Sequence, residues 1–222
     1  MKLFSESTEL FRDMISCGNR RSALDIGANT GGYTDMLLKQ GWEVWAMEPV
    51  PDMYDKLVEA HGRNPKAHLF QLAVSDKEEV IKDVSVQSCW TLVPDGTASL
   101  SRSIEYLGKP TFDLQCTTID KFCADNGWLN PGFIKLDVDG YELKALRGGV
   151  KTILAHRPPI LCELNCYINK LGQSPEEFVK LVTETLNYRF VSMDGKVEMT
   201  TWAEIEPNWP YHSSYDVMLM PN

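Results

Sequence analysis

The sequence predicts an α/β protein in which helices cover both faces of a mostly parallel β-sheet. Short apolar segments alternate with amphipathic segments of helical period along most of the 222 residues. Glycine-rich or polar turns separate the two kinds of segment. Hydrophobic residues make up 43% of the chain, which is enough for one sizeable core. We therefore expect a single domain over residues 1–222.

The first half of the chain predicts a leading helix followed by strands and helices in alternation. After the first strand, Tyr33, Met36 and Leu37 are spaced to share one face of a helix. The expected segments are a helix over 3–16, strands over 22–26, 43–47 and 67–72, and a helix over 51–60.

Residues 80–117 interrupt this alternation. They contain short β-like pieces, a Pro-Asp-Gly turn at 94–96 and no helical period, which indicates a β-rich insertion beside the functional face of the sheet. The alternation then resumes. Ser174 is expected to cap a helix, with Pro175 in its first turn and Glu177 completing a capping box. The other expected segments are helices over 118–126 and 140–147 and strands over 133–136, 160–164, 188–193 and 215–220.

Charge and cysteine usage restrict the classes of partner. The formal net charge is −9 and no Lys/Arg cluster is present, so we expect neither a nucleic acid nor a membrane partner. The first residues lack the apolar run of a signal peptide, and no segment approaches the ~18 apolar residues of a membrane helix. The six cysteines form no CxxC pair and are interpreted as reduced thiols, so a cytoplasmic location is expected.

A glycine-rich turn over residues 27–32 follows the first strand. Ligands of open parallel sheets bind beyond the carboxyl ends of the strands, and the next helix offers free N–H groups there. Asn29 stands where a dinucleotide site has its second glycine, so it crowds a diphosphate but can hydrogen-bond a small zwitterion. Asp25 can form an ion pair with a positively charged group of the ligand. Glu48 follows the second strand, where an acidic residue can bind ribose hydroxyls. Each feature alone is typical of an ordinary turn, but together they predict nucleoside binding.

Carboxylates also follow the next two strands of the expected sheet. Asp137 and Asp139 end the segment 133–136, and Glu163 lies near the end of 160–164. Neighbouring parallel strands end at one rim, and carboxylates that share a rim raise each other's pKa, which suits a general base. As an alternative, Asp139 only caps the following helix.

Several other polar residues are candidates with an ordinary structural alternative. Glu142 is expected to pair with Lys144 or Arg147 rather than to react. The aromatic-rich loop before the last strand carries Trp209 and His212, which are predicted to cover a substrate ring or sugar face. Oxygen ligands of the acidic rim would suit magnesium, but we expect no bound metal.

The ordered set of motifs resembles the FkbM family of methyltransferases. The resemblance runs from about residue 21 to residue 165, and Asp216-Val217 in the last strand also fits. The motifs are Asp25-Ile-Gly-Ala-Asn-x-Gly31, Glu48-Pro49, Ile134-Lys-Leu-Asp137-Val-Asp139-Gly140-Tyr-Glu142, Leu146-x-Gly148 and Glu163. Where this chain has Asp139, the family usually has Glu, so the carboxylate here has a shorter reach.

The resemblance implies a class I methyltransferase fold, a Rossmann-like sheet of seven strands of which the last is antiparallel, with S-adenosylmethionine as cofactor. It also implies a role for each motif residue. The methionine part would be held by Asp25, Gly27, Asn29 and Gly31, the ribose by Glu48 and Pro49, and the adenine by Ala73 and Val74, while Ser99 would line the acceptor side. We hypothesise in addition that Asp137 lies near the methionine end of the cofactor.

We hypothesise that the chain transfers a methyl group to a hydroxyl of a small molecule or glycan. Amino-directed methyltransferases often carry Asn/Asp-Pro-Pro-Tyr/Phe after the fourth strand, where this chain has Asp-Val-Asp-Gly. The expected catalytic residues are Asp139, Glu163 and Asp137. Two alternatives stay open: a nicotinamide-dependent oxidoreductase, against which Asn29 argues, and a non-catalytic S-adenosylmethionine-binding protein, against which the intact acidic set argues.

Overall fold

Eight strands form the main sheet of the computed structural model, which describes residues 20–86, 92–93, 111–127, 129–165, 173–205 and 214–222. From one edge to the other they are β11 Glu198–Met199, β10 Tyr188–Ser192, β12 Ser214–Pro221, β9 Ile160–Asn165, β8 Phe133–Leu136, β1 Ser22–Ile26, β2 Glu43–Met47 and β3 Ala67–Phe70. The five strands from β9 to β3 are parallel. Strand β12 is antiparallel to both β9 and β10, and β10 is antiparallel to β11.

A small four-stranded sheet stands beside the main one. Its strands, in spatial order, are β4 Ala73–Val74, β7 Phe112–Thr117, β5 Glu79–Val86 and β6 Leu92–Val93. Most of this sheet falls within residues 80–117, where the sequence predicts a β-rich insertion. The strand expected over 67–72 is shorter than predicted, because the chain leaves the main sheet after Phe70 and joins the small sheet at Ala73.

Seven helices connect the strands in the described part of the chain. They are α1 Gly32–Lys39, α2 Pro51–His61, α3 Ile119–Asp125, α4 Glu142–Arg147, α5 Val150–His156, α6 Pro175–Lys180, which continues as a π-helix over Leu181–Thr185, and α7 Trp202–Ile205. Ser174 caps α6 as expected, since its hydroxyl accepts a hydrogen bond from the Glu177 N–H. The Glu177 carboxylate binds Arg147 at 2.8 Å. The helix expected over 3–16 lies outside the described residues.

The two faces of the main sheet are packed by different helices. Helices α1 and α2 contribute Leu37 and Leu57 to a core that includes Ala23, Phe133 and Met218 of the sheet. Helices α3 to α6 pack on the other face in the larger core. We call the face of the sheet that α1 covers the α1 face. Side chains two residues apart in a strand share a face. The α1 face therefore carries four polar residues near the carboxyl ends of the parallel strands: Asp25, Lys135, Glu163 and Asp216.

Two further sequence predictions about the fold need correction. The sheet has eight strands rather than seven, because Glu198–Met199 adds a short edge strand to β10. The sequence did not indicate this strand, since two residues are too few to show the alternation of apolar and polar side chains that is typical of a strand. The helix expected to start at 140 starts at Glu142, because Asp139 and Gly140 have positive φ angles of 50° and 99°. Within the described ranges, no helix has the length and apolarity to cross a membrane.

Candidate functional site

A cleft opens where β1, β2 and β8 end, between the main sheet and the small sheet. It brings together residues from four loops that are distant in sequence. Those that the sequence singled out and that line this cleft are Gly27, Asn29, Glu48, Pro49, Ala73, Val74, Asp137 and Asp139. Apolar side chains such as Val50, Met53 and Leu72 cover the cleft near the ends of β2 and β3.

The glycine-rich turn forms one wall of the cleft. Gly27 has a φ of 77°, and a Cβ atom on it would lie 1.8 Å from the Asp137 carbonyl oxygen, so only glycine fits. Asn29 is also left-handed, with a φ of 52°, and its side-chain oxygen accepts a hydrogen bond from Thr30 N–H at 2.8 Å. Asn29 therefore stabilises the turn through this hydrogen bond and also lines the cleft.

Glu48 connects the glycine-rich turn to the end of β2. One carboxylate oxygen accepts from Asn29 N–H and the other from Val50 N–H, both at 2.8 Å. The side chain is 5% exposed. Burial raises the pKa of Glu48, although these two hydrogen bonds act in the opposite direction. Since a carboxylate has about four acceptor sites, Glu48 still has the capacity to accept from hydroxyl groups in the cleft.

A buried ammonium group lies beneath the turn. Lys135 Nζ is 2.5 Å from the Gly27 carbonyl oxygen, 3.1 Å from Asp137 Oδ2 and 3.7 Å from Asp25 Oδ1. Burial opposes the charged form, but the carboxylates of Asp137 and Asp25 outweigh it and raise the pKa of Lys135. Asp25 is fully buried and accepts from the Thr34 hydroxyl at 2.6 Å. The structure thus places Asp25 beneath the turn, whereas Asp137 reaches the cleft.

Asp139 lies in the loop between β8 and α4. Burial raises its pKa to about 7, with Asp137 and Glu48 adding to the shift and Lys135 opposing it. The N-cap position of α4 is occupied by Tyr141, so Asp139 is not the N-cap residue of this helix. A half-protonated carboxyl in a cleft is suited to proton transfer near neutral pH.

Glu142 departs from the pairing that the sequence predicts. Its Oε1 accepts from Val138 N–H at 3.3 Å and from Gly140 N–H at 3.1 Å. Side chains of helical residues point toward the helix N-terminus, and Glu142 is the first residue of α4, so it reaches the preceding loop. Arg147 instead binds Glu177, and Lys144 Nζ lies 5.3 Å from the centre of the Tyr141 ring.

Glu163 lies on the α1 face opposite Asp216 of β12 and is not among the described residues that line the cleft. Burial, with a contribution from Asp137, raises the pKa of Asp216 to about 6. Burial and then the charges of Asp216 and Glu163 also raise the pKa of the Tyr33 hydroxyl. The structure therefore groups Glu163 with Asp216 and Tyr33. The sequence contained a signal for the buried position of Asp216, since Asp216 lies two residues before the buried Met218 in the same strand and therefore shares its face.

The remaining predicted residues are placed as follows. A Cβ atom on Gly31 would lie 2.6 Å from the His61 ring and 2.8 Å from Leu57, so this glycine allows α2 to pack closely on the turn. Ser99, Trp209 and His212 lie outside the described residues. No cluster of three or more His, Cys, Asp or Glu side chains suited to a metal ion occurs in the part of the chain that the structure describes.

Comparison with known proteins gives both a family match and a fold match. The family model described as "Methyltransferase FkbM domain" matches residues 25–190. Methyltransferase FkbM from Methylobacillus flagellatus KT is 15% identical, with a TM-score of 0.52 over 90% of this chain and 43% of that one. The likeness shows a shared fold, and the chain spans less than half the length of that protein. No curated protein sequence matches the chain significantly.

Two further solved structures are similar at lower TM-scores. Precorrin 8w decarboxylase from Methanobacterium thermoautotrophicum is 12% identical, with a TM-score of 0.48 over 96% of this chain and 88% of that one. A TehB-like SAM-dependent methyltransferase from Corynebacterium glutamicum ATCC 13032 Kitasato is 14% identical, with a TM-score of 0.44 over 97% and 86%.

Proposed function

This chain belongs to the FkbM methyltransferase domain family, and from that premise we propose that it transfers a methyl group from S-adenosylmethionine to a hydroxyl of a small molecule or glycan. The observation that carries the proposal is the position of Asp139. Asp139 lines the same cleft as Glu48 and the glycine-rich turn, and burial raises the pKa of its carboxyl to about 7. One cleft therefore combines a nucleoside-binding pattern with a group able to accept a proton.

The residues of the cleft fit the proposed cofactor. S-adenosylmethionine carries a ribose diol, a cationic sulfonium and an ammonium group, which are matched by the buried Glu48 carboxylate and by Asp137. Ala73, Val74 and Met53 offer an apolar surface suited to the adenine ring. When bound, the cofactor supplies an electrophilic methyl group.

The chain itself would orient the acceptor and receive its proton. Most of the rate enhancement of such a displacement comes from orientation, and a base adds about 10²- to 10⁴-fold. We propose Asp139 as the base because it lines the cleft, and Asp137 as a cofactor ligand held in place by Lys135. Glu163 is the second candidate base, for an acceptor that lies over β9 on the α1 face.

Hydroxyl acceptors are favoured over amines by the chemistry of this loop. A neutral amine is a nucleophile without a base, whereas a hydroxyl gains from a carboxylate that removes its proton. We propose Ser99, Trp209 and His212 for the acceptor side. The direct test is incubation with methyl-labelled S-adenosylmethionine and a panel of sugar and phenolic hydroxyls, with mass spectrometry of the products. Transfer only to amines would contradict the proposal.

Ligand-induced stabilisation separates the cofactor classes. S-adenosylhomocysteine is expected to raise the melting temperature, because a ligand that binds only the folded state stabilises it by about 2.7 kcal/mol at 100 times its Kd. NADH, added as the control, should have no such effect, since Asn29 stands where a diphosphate needs glycine. Stabilisation by NADH without a response to S-adenosylhomocysteine would reverse the assignment.

Replacing Glu48 tests the proposed ribose contact. Glu48→Ala is expected to weaken S-adenosylhomocysteine binding by about 1–3 kcal/mol, because hydroxyls and two backbone N–H groups lose their acceptor. Isothermal titration calorimetry measures this directly. The matched control is Glu59→Ala on the exposed side of α2, which should bind as the wild type does. Equal affinities for the two variants would show that the ribose is held elsewhere.

A further inference from the structure

The loop that carries Asp139 has an unfavourable backbone conformation. Asp139 and Gly140 are consecutive left-handed residues, with φ angles of 50° and 99°. For a residue other than glycine this conformation is sterically disfavoured, although aspartate adopts it more readily than most residues. Such a conformation persists only where its surroundings determine it. The loop therefore depends on contacts that hold it in place.

Glu142 supplies the first of these contacts from inside the protein. A single carboxyl oxygen, Oε1, accepts from Val138 N–H and Gly140 N–H, the two backbone groups that flank Asp139. Glu142 is fully buried, and its Oε2 has no hydrogen-bond partner among the described residues. Burial is also the main cause that raises the pKa of this carboxyl to about 8, so it is mostly neutral at neutral pH.

Gln173 supplies the second contact from the segment before α6. Its side-chain amide donates to the Gly140 carbonyl oxygen, and its side-chain oxygen accepts from Lys144 N–H at 3.2 Å. Gln173 is 7% exposed. Glu142 and Gln173 therefore bind the N–H and the carbonyl of the same residue, directly after Asp139.

We propose that Glu142 and Gln173 are positioning residues that hold the backbone around Asp139 so that its carboxylate stays in the cleft. The inference rests on the proposed function for the role of Asp139 as a base, but the contacts themselves do not. Neither residue is expected to touch the acceptor or the cofactor.

The pKa of Asp139 provides a readout of this positioning. Burial, the carboxylates of Asp137 and Glu48, and the ammonium of Lys135 set that pKa. A substitution that releases the loop exposes Asp139 to water and lets its pKa fall toward the ordinary value near 4. A purely structural role for Glu142, remote from Asp139, would lower the melting temperature without this shift.

The experiment is a carbon-detected NMR titration of the side-chain carboxyl groups of the full chain, in which Asp139→Asn identifies the Asp139 signal. Glu142→Gln keeps an uncharged acceptor at Oε1, whereas Glu142→Leu removes it at similar size. We expect the pKa of Asp139 to stay within about 0.3 unit in Glu142→Gln and to fall by about one unit or more in Glu142→Leu. Glu184→Leu, at an exposed position of the π-helix, is the matched control and should leave it unchanged.

Two results would overturn the proposal: an unchanged Asp139 titration in folded Glu142→Leu, or an equal shift in Glu142→Gln and Glu142→Leu. If Glu142→Leu does not fold, Gln173→Leu is the deciding variant, because it removes the donor to the Gly140 carbonyl at a less buried position. An unchanged pKa of Asp139 in Gln173→Leu would then refute the proposed role of Glu142 and Gln173. The titration needs neither cofactor nor acceptor. A wild type that fails to bind S-adenosylhomocysteine would therefore contradict the proposed function while leaving this test readable.

Discussion

Asp139→Asn is expected to lower methyl transfer by about 10²-fold or more while leaving the affinity for S-adenosylhomocysteine within about threefold. The substitution keeps the shape of the side chain and removes its ability to accept a proton. Because a base acts only when deprotonated and burial raises the pKa of Asp139 to about 7, the wild-type rate should rise with pH through about 7. This rise should be absent from the variant. Initial rates with the best hydroxyl acceptor, measured across pH, give both results.

Glu163→Gln is the matched variant for this experiment, since it removes the other candidate base in the same conservative way. We expect it to retain most of the activity, because Glu163 faces Asp216 on the α1 face rather than the cleft. If Glu163→Gln loses the activity and Asp139→Asn retains it, the roles are reversed. If both retain it, catalysis depends on orientation alone, and solvent receives the proton.

Lys135→Met is expected to destabilise the protein by about 3–5 kcal/mol, the usual effect of removing one partner of a buried ion pair. The change leaves the carboxylates of Asp25 and Asp137 without their shared cation and the Gly27 carbonyl without its donor. Equilibrium urea unfolding measures the loss. A large loss would show that the charged group beneath the turn is required for the fold of the cleft.

The control is Lys56→Met, which removes an equally charged side chain from the exposed surface of α2. It should change the free energy of unfolding by less than about 0.5 kcal/mol. A Lys135→Met protein as stable as this control would mean that water replaces the ammonium group. In that case Asp137 would not depend on Lys135 for its position.

The sequence predicted those parts of the fold that have a local signature. The glycine-rich turn, Glu48 at the end of β2 and the capped start of α6 were recognisable because each is specified by residues close together in the chain. Strand β11 was missed because two residues carry no pattern. The left-handed Asp139 was missed because the side chains that bind the backbone beside it have no local signature, and the contact from Gln173 to Gly140 spans 33 residues.

The candidate site shows the same limit. The sequence placed Asp137, Asp139 and Glu163 on one rim, since all three end parallel strands. It could not show that Asp137 and Asp139 line the cleft, because their positions depend on the irregular loop that follows β8. Glu163, by contrast, lies within β9 on the α1 face. For Lys135, its position one residue before the rim gave no sign that its ammonium would bridge Asp25 and Asp137.

The close approach of Gly27 to the Asp137 carbonyl oxygen leaves no room for a side chain between the glycine-rich turn and the end of β8 at this point. Lys135 connects the same two segments from below, since its ammonium group contacts both the Gly27 carbonyl oxygen and the Asp137 carboxylate. The opposite wall of the cleft is formed by Ile81, Val84 and Leu114 of the small sheet. If the cleft binds cofactor and acceptor as proposed, an acceptor of a different size would have to be accommodated by these three side chains. Under the proposed function, changes of acceptor preference should therefore arise from substitutions at these three positions rather than in the wall formed by the turn and β8.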